Sequence, residues 1–247
     1  MIYEIKILNE GINDKNIFKA IFLAGGGGSG KSFIAKQAFG LGVGNVSALG
    51  ARVVNSDYFF EKGLDKLGLS KTIDVANIEL YKTQMEVRDW AKKLTKSQMA
   101  MYINGMLPLI LDGTGRDYDK IISQAEVLQS IGYDTSMIFV NTSLNVALER
   151  NAKRERKVDP KIVETAWYDV QANIGKFQKY FGNRDFDVVD NSTYFEPGSK
   201  EAKDFSLYLY KIGKKHLESP LDNYKGISII KKLKATGGKY LSDLIEE

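Results

Sequence analysis

Four consecutive glycines, Gly25, Gly26, Gly27 and Gly28, interrupt "AIFLAGGGGSGKSFIAKQAFG" (residues 20–40) between an apolar run and a helical pattern. Each glycine costs chain entropy on folding, so such a cluster marks a backbone that must turn sharply or approach something closely. The spacing names the guest: Gly25, then Gly30, Lys31 and Ser32 satisfy the G-x-x-x-x-G-K-[ST] pattern of a phosphate-binding loop. Amides of residues 25–30, with Ser29 among the glycines, can converge on phosphate oxygens without side chains in the way. A helix opening at Lys31 adds the positive end of its dipole and its unpaired amides. Lys31 is expected to reach the β- and γ-phosphates, and the Ser32 hydroxyl to ligate Mg²⁺. Phe33, one residue into that helix, is expected beside the nucleotide. Residues 21–24 supply the preceding strand, and Phe33, Ile34, Ala35 and Ala38 an apolar helix face.

The loop constrains the fold around it. Short apolar strands are expected at residues 21–24, 51–57, 107–112, 133–141 and 186–191, alternating with helical patterns. That alternation predicts an α/β, three-layer architecture with a central five-stranded parallel sheet. Residues 1–9 alternate apolar and polar, as an edge strand or hairpin arm would. Residues 40–50 read as a loop. Residues 72–104 read as one long helical insert, with Ile73, Leu80, Val87, Leu94 and Met101 seven apart. Packing on the domain body explains that stripe better than a coiled coil, because the second seam position is often polar. A helix is expected over 118–131, another from Ser143, and a further one through Lys179. A kinase-type domain is expected over residues 1–195, and a helical C-terminal extension packed on it over 196–247.

Composition removes several chemistries. There is no cysteine, hence no disulfide partner, thiolate metal site or cysteine nucleophile. A single histidine, His216, argues against a histidine-built zinc site or a Ser–His triad, and a surface position on a basic helix is expected for it. No signal-length apolar segment or membrane span is present, so no membrane partner and a cytoplasmic location are expected. The net charge of +4 is compatible with phosphorylated partners without demanding them.

In a parallel sheet the ligand sits at the C-terminal strand ends, which here carry Asp57, Asp112, Gly113, Thr114, Asn141 and Asn191. No N-K-x-D guanine-reading tetrapeptide occurs, and no glutamate follows Asp112 to polarise water. Transfer to an acceptor hydroxyl is therefore favoured over hydrolysis. Asp57 can accept the proton of that hydroxyl, or cap the next helix. Asp112 is the rival carboxylate for the metal. The run "RNAKRERKVDP" places Arg150 and Arg154 where a lid over the nucleotide (about residues 150–160) could stabilise transferring charge. Arg116, in "DGTGR", can contact the substrate.

These residues resemble a family. "RNAKRERKVDPKIVETAWYDV" looks like the lid of bacteriophage polynucleotide 5′-hydroxyl kinases and related zeta-toxin-like kinases, with Arg150, Lys153, Arg154, Pro160, Val163 and Trp167 at matching places. Asp57 matches the family's acceptor-activating aspartate. The resemblance spans roughly residues 21–191 and implies an ATP–Mg²⁺ kinase with Lys31, Asp57 and Arg154 as catalytic residues. One position departs: the family's arginine three residues after the aspartate is Phe60 here. The Tyr58-Phe59-Phe60 cluster can stack on a base or sugar, or belong to the core. The expected partners are ATP and a hydroxyl-bearing nucleic acid, nucleotide or nucleotide-sugar. Two alternatives stay open. One is a nucleoside monophosphate kinase, drawing on Arg52, Arg88 or Arg116. The other is an ATP-binding regulatory or toxin-like interaction protein.

Overall fold

A computed structural model describes residues 16–41, 46–73, 76–154 and 158–236. The expected strand at residues 1–9 lies outside them, as do residues 42–45 of the expected loop and Arg156 and Lys157 of the expected lid. The chain runs β1 (Lys19–Ala24), α1 (Lys31–Phe39), β2 (Arg52–Val54), α2 (Ser56–Lys66) and α3 (Ile78–Asn104). It continues through β3 (Leu109–Asp112), α4 (Tyr118–Ser130), β4 (Asp134–Asn141), α5 (Leu144–Lys153), α6 (Pro160–Gln171) and α7 (Ile174–Asp185). It ends with β5 (Phe186–Asp190), α8 (Lys200–Glu218) and α9 (Tyr224–Ala235).

The five strands form one sheet in the order β2-β3-β1-β4-β5, and every pairing is parallel. Strand residues alternate between faces, and both faces are buried. Ala20, Phe22 and Ala24 join Leu111, Met137 and Phe139 beneath α4, α7 and α9. Ile21 and Leu23 join Ile110, Ile138 and Val140 beneath α1 and α8, the latter through Leu209, Ile212 and Leu217. The backbones of α1 and α8 touch closely: a Cβ on Gly213 would lie 2.1 Å from the Ala38 carbonyl oxygen. A smaller core of Phe60, Leu64, Val87 and Ala91 fastens α2 to α3. Because β1 lies between β3 and β4, the chain leaves the sheet in opposite directions on its two sides. This opens a crevice at the C-terminal end of β1. Among the described residues no helix is long and apolar enough to cross a membrane.

Several local expectations change. The second strand ends at Val54, because the Asn55 carbonyl Oδ1 accepts from the Asp57 amide at 2.7 Å and starts α2. Asp57 is thus in the first turn of a helix, and the cap is Asn55. The long helix begins at Ile78, where the Asn77 side chain caps it by accepting from the Leu80 amide. Its buried residues are Gln84, Val87 and Ala91, while Leu94 and Met101 are exposed. A stripe repeated every seven residues drifts about 20° per heptad around a helix of 3.6 residues per turn, which carries its far end into solvent. The helix expected through Lys179 is two, broken where Asn173 donates to the carbonyls of Gly115 and Arg116 at 3.1 and 2.9 Å. Phe60 is 1% exposed, a core residue rather than a base platform. His216, expected at the surface, is buried and bonds the Asp187 carboxylate at 2.7 Å through Nε2. The reason is that α8 turns the face carrying Leu209, Ile212, Gly213 and His216 inward.

Candidate active site

The crevice beyond β1 holds the glycine loop. The Gly25 amide donates to the Thr114 carbonyl at 3.1 Å and the Gly113 amide to Leu23 at 2.9 Å, which anchors the loop's first arm to the β3 exit. Its second arm is held at the Ser29 carbonyl, which accepts from Asn191 Nδ2 at 2.8 Å and from Arg150 Nη1 at 3.4 Å. Three glycines are required by geometry, the first being Gly25, where a Cβ would lie 2.6 Å from the Val140 carbonyl oxygen. Gly28 has φ +80° and a Cβ there would lie 2.3 Å from the Ala147 carbonyl oxygen. Gly30 has φ +81° and a Cβ there would lie 2.3 Å from Asn191 Nδ2. Gly26 and Gly27 have nothing within 4 Å of such a Cβ, so their bare backbone faces open space in the cradle. We expect Gly28→Ala to lower stability by about 1–3 kcal/mol through strain. Gly26→Ala should leave the urea midpoint nearly unchanged and weaken nucleotide binding. Urea titration and nucleotide titration of both variants separate the two roles.

Lys31, the first residue of α1, folds back towards the start of the loop, and its Nζ donates to the Gly25 carbonyl at 2.7 Å. Burial pushes its pKa down, and Arg154 adds to that, while the Asp112 and Asp57 carboxylates oppose it. One lysine thus feels two carboxylates and one guanidinium that are far apart in the chain. Asp112 ends β3 and has its pKa raised, first by burial and then by Asp57, against the pull of Lys31 and of Asn55. Its Oδ2 accepts from Asn55 Nδ2 at 2.7 Å, whereas its buried Oδ1 has no hydrogen-bond partner. An unpartnered carboxylate oxygen at that depth is costly, and it is the donor type a hard cation takes. Asp57 itself is exposed.

Arg150 and Arg154 line a cavity of about 270 Å³ with residues 26–32 of the loop. Arg150 lies in the last turn of α5, and Arg154 is the residue that ends it. The Asn151 side chain donates to the Val158 carbonyl at 2.6 Å and accepts from the Val158 amide at 3.1 Å. Trp167 on α6 donates to the Thr142 carbonyl at 2.8 Å, so α6 is fixed to the β4 exit. Arg116, in the loop after β3, is engaged: its Nε donates to Asp169 at 2.7 Å. Arg88 reaches over Phe60 from α3, its guanidinium 5.2 Å from the ring centroid.

Two larger cavities flank the loop. One, about 690 Å³, is bordered by Gly30, Phe33, Arg150, Tyr194, Phe195 and Phe205. Phe33 and Arg150 were expected near the nucleotide. The aromatic residues after β5 were not, although "NSTYFEPGS" (residues 191–199) has the turn-forming, aromatic make-up of a binding loop at a strand end. The other cavity, about 520 Å³, lies between the ends of β1, β2 and β3 and the helices α3 and α4, with Asp112 and Ser56 in its wall.

The architecture has solved counterparts. A candidate kinase from Chloroflexus aurantiacus superposes with a TM-score of 0.52 at 16% identity, covering 81% of this chain and 98% of its own. A structure from the PezAT chromosomal toxin-antitoxin system of Streptococcus pneumoniae also gives 0.52, at 17% identity, over 85% of this chain and 90% of its own. The AvrRxo1-ORF1:AvrRxo1-ORF2 structure gives 0.52 at 11% identity, over 90% and 82%. The fold is thus the α/β fold of the P-loop kinases. Among curated proteins none gives a significant match. The AAA domain family matches residues 21–176, a span that starts in β1, contains the loop, Asp57, Asp112, Arg150 and Arg154, and exceeds half of the 247 residues; the chain belongs to that family.

Proposed function

We propose that this protein is an ATP-dependent kinase that transfers the γ-phosphate to an alcohol hydroxyl. One observation carries the reading: a single phosphate loop stands between an aromatic-walled cavity and a second cavity that shares Asp112 with the loop's electrostatic environment. The first suits a nucleoside base, stacked by Phe33, Tyr194 or Phe195. The second borders the strand ends where a terminal phosphate on Lys31 would be offered.

In the proposed reaction the acceptor oxygen forms a bond to the γ-phosphorus. The bond from that phosphorus to the β,γ-bridging oxygen breaks, and ADP leaves. Asp57 takes the hydroxyl proton. Lys31 and Arg154 stabilise charge on the transferring oxygens from fixed positions, which costs little reorganisation during the step. The unpartnered Asp112 Oδ1 fits a magnesium ion, which Asp112 and the Ser32 hydroxyl would hold and which would neutralise phosphate charge when bound. A nucleoside monophosphate acceptor is less well supported. Arg52, Arg88 and Arg116 are not among the described residues lining the second cavity, and Arg116 is paired with Asp169.

The test is transfer from γ-labelled ATP to a panel of 5′-hydroxyl oligonucleotides, nucleoside monophosphates, nucleotide-sugars and small alcohols. Label is expected on an alcohol acceptor, and Arg154→Ala should slow its transfer by about 10²–10³-fold. ATP binding with no labelled product from any acceptor would favour a regulatory nucleotide-binding protein instead.

A further inference from the structure

The second cavity has a charge pattern that the reaction alone does not require. On α3, Lys92, Thr95, Lys96 and Met99 stand at the three- and four-residue spacings that share one helix face, and all four line the cavity. Lys120, in the first turn of α4, faces it from the other side. Lys92 is engaged by Asp89 at 3.0 Å. Among the described residues Lys96 and Lys120 have no counter-ion. The one carboxylate among the described lining residues is Asp112, already opposed by Lys31. Phe22, Leu23, Val54 and Leu111 make the remaining surface largely apolar. A concave site with cationic edges and low-dielectric walls concentrates anions.

We infer that this cavity admits a small hydroxyl compound carrying its own phosphate or carboxylate, which Lys96 and Lys120 grip while the carbon skeleton lies on the apolar floor. The inference rests on the kinase reading above and names the class of its acceptor. The volume of about 520 Å³ is that of a small-molecule site. The anionic group takes no part in bond making. The acceptor hydroxyl attacks the γ-phosphorus, its proton passes to Asp57 and ADP departs, so the anion serves only to bind and orient.

The experiment uses the full chain with matched acceptors that differ in one anionic group: glycerol and glycerol 3-phosphate, ribose and ribose 5-phosphate, glucose and gluconate. A 5′-hydroxyl oligonucleotide is the polymeric arm. Transfer from γ-labelled ATP gives kcat/KM, and calorimetry on the ADP-loaded protein gives binding. Anionic members should exceed their neutral partners by about 10–100-fold, the scale of hydrogen bonds to charged groups. K96Q/K120Q should abolish that preference and leave ATP affinity unchanged, since neither lysine borders the loop or the aromatic cavity. The phosphate and carboxylate arms tell which anion is used. Equal transfer to neutral members, transfer confined to the oligonucleotide, or a preference that survives in the double variant would overturn the inference. So would a failure of every anionic member either to bind or to accept phosphate. Anion binding that is lost in K96Q/K120Q, with no transfer to any member, would uphold the anion site and remove the kinase reading instead.

Discussion

Lys31→Ala is expected to lower phosphate transfer by about 10²–10³-fold, the scale of losing one preorganised donor from a group-transfer site, while the protein still folds. The second half of that expectation follows from the lysine's environment. Its pKa is lowered, with burial the leading cause. The folded chain therefore binds this proton less tightly than the unfolded chain does. At neutral pH the ammonium costs stability. In the wild type this cost disappears as the pH rises through the lowered value towards the ordinary lysine range. The alanine variant has no such cost, and loses in exchange the hydrogen bond to Gly25, worth about 1 kcal/mol. Its melting temperature should stay near that of the wild type at pH 7 and lack the wild type's gain at alkaline pH. Turnover that survived in a normally folded variant would remove Lys31 from the donor site.

Asp57→Asn should bind ATP and transfer its phosphate about 10²–10⁴-fold more slowly. Asparagine keeps the size and hydrogen-bonding capacity of the side chain and removes only the base. The structure sharpens this test, because capping of α2 belongs to Asn55. Asp57 places a charge in the first turn of that helix, an effect of about 0.3–1 kcal/mol. A large loss of turnover therefore cannot be assigned to a frayed helix. Loss of magnesium-dependent nucleotide affinity alongside turnover would instead give Asp57 the metal role, with Asp112→Asn as the comparison. Full activity in Asp57→Asn would leave the site without its proposed base.

The loop, its flanking strand and helix, and the parallel sheet were legible because each rests on short-range patterns. Gly28 and Gly30 are demanded by positive φ and by close neighbours, and β1 reads as continuously apolar because both its faces are covered. Asp112 was legible as a strand-end carboxylate in the same way. Asp57 was legible as a residue, but its place was not. A three-residue strand followed at once by an asparagine cap has the same sequence pattern as a longer strand with a polar end.

Other features depend on contacts between distant segments. Lys19 is buried against Asp134, 115 residues away, and also donates to Ser219 and Pro220. His216 meets Asp187 across 29 residues. No local pattern announces either pair, because a charged side chain in an amphipathic segment has the same sequence signal whether its partner is water or a carboxylate. Phe60 shows the converse: an aromatic beside a candidate base is equally compatible with stacking and with core, and only the arrival of Leu64, Val87 and Ala91 around it decided for core.

The sequence by itself determined the phosphate loop, the order of the five sheet strands along the chain, and the carboxylates and arginines available to the site. These follow from backbone permissiveness and side-chain periodicity, which act over a few residues. The tertiary structure alone decided which of those groups share one electrostatic environment around Lys31. It also decided that Phe33 faces Tyr194 and Phe195 across a single cavity, and that Lys96 and Lys120 border another. Cavities and charge clusters are products of helix placement on the sheet, and that placement is set by packing summed over the whole domain.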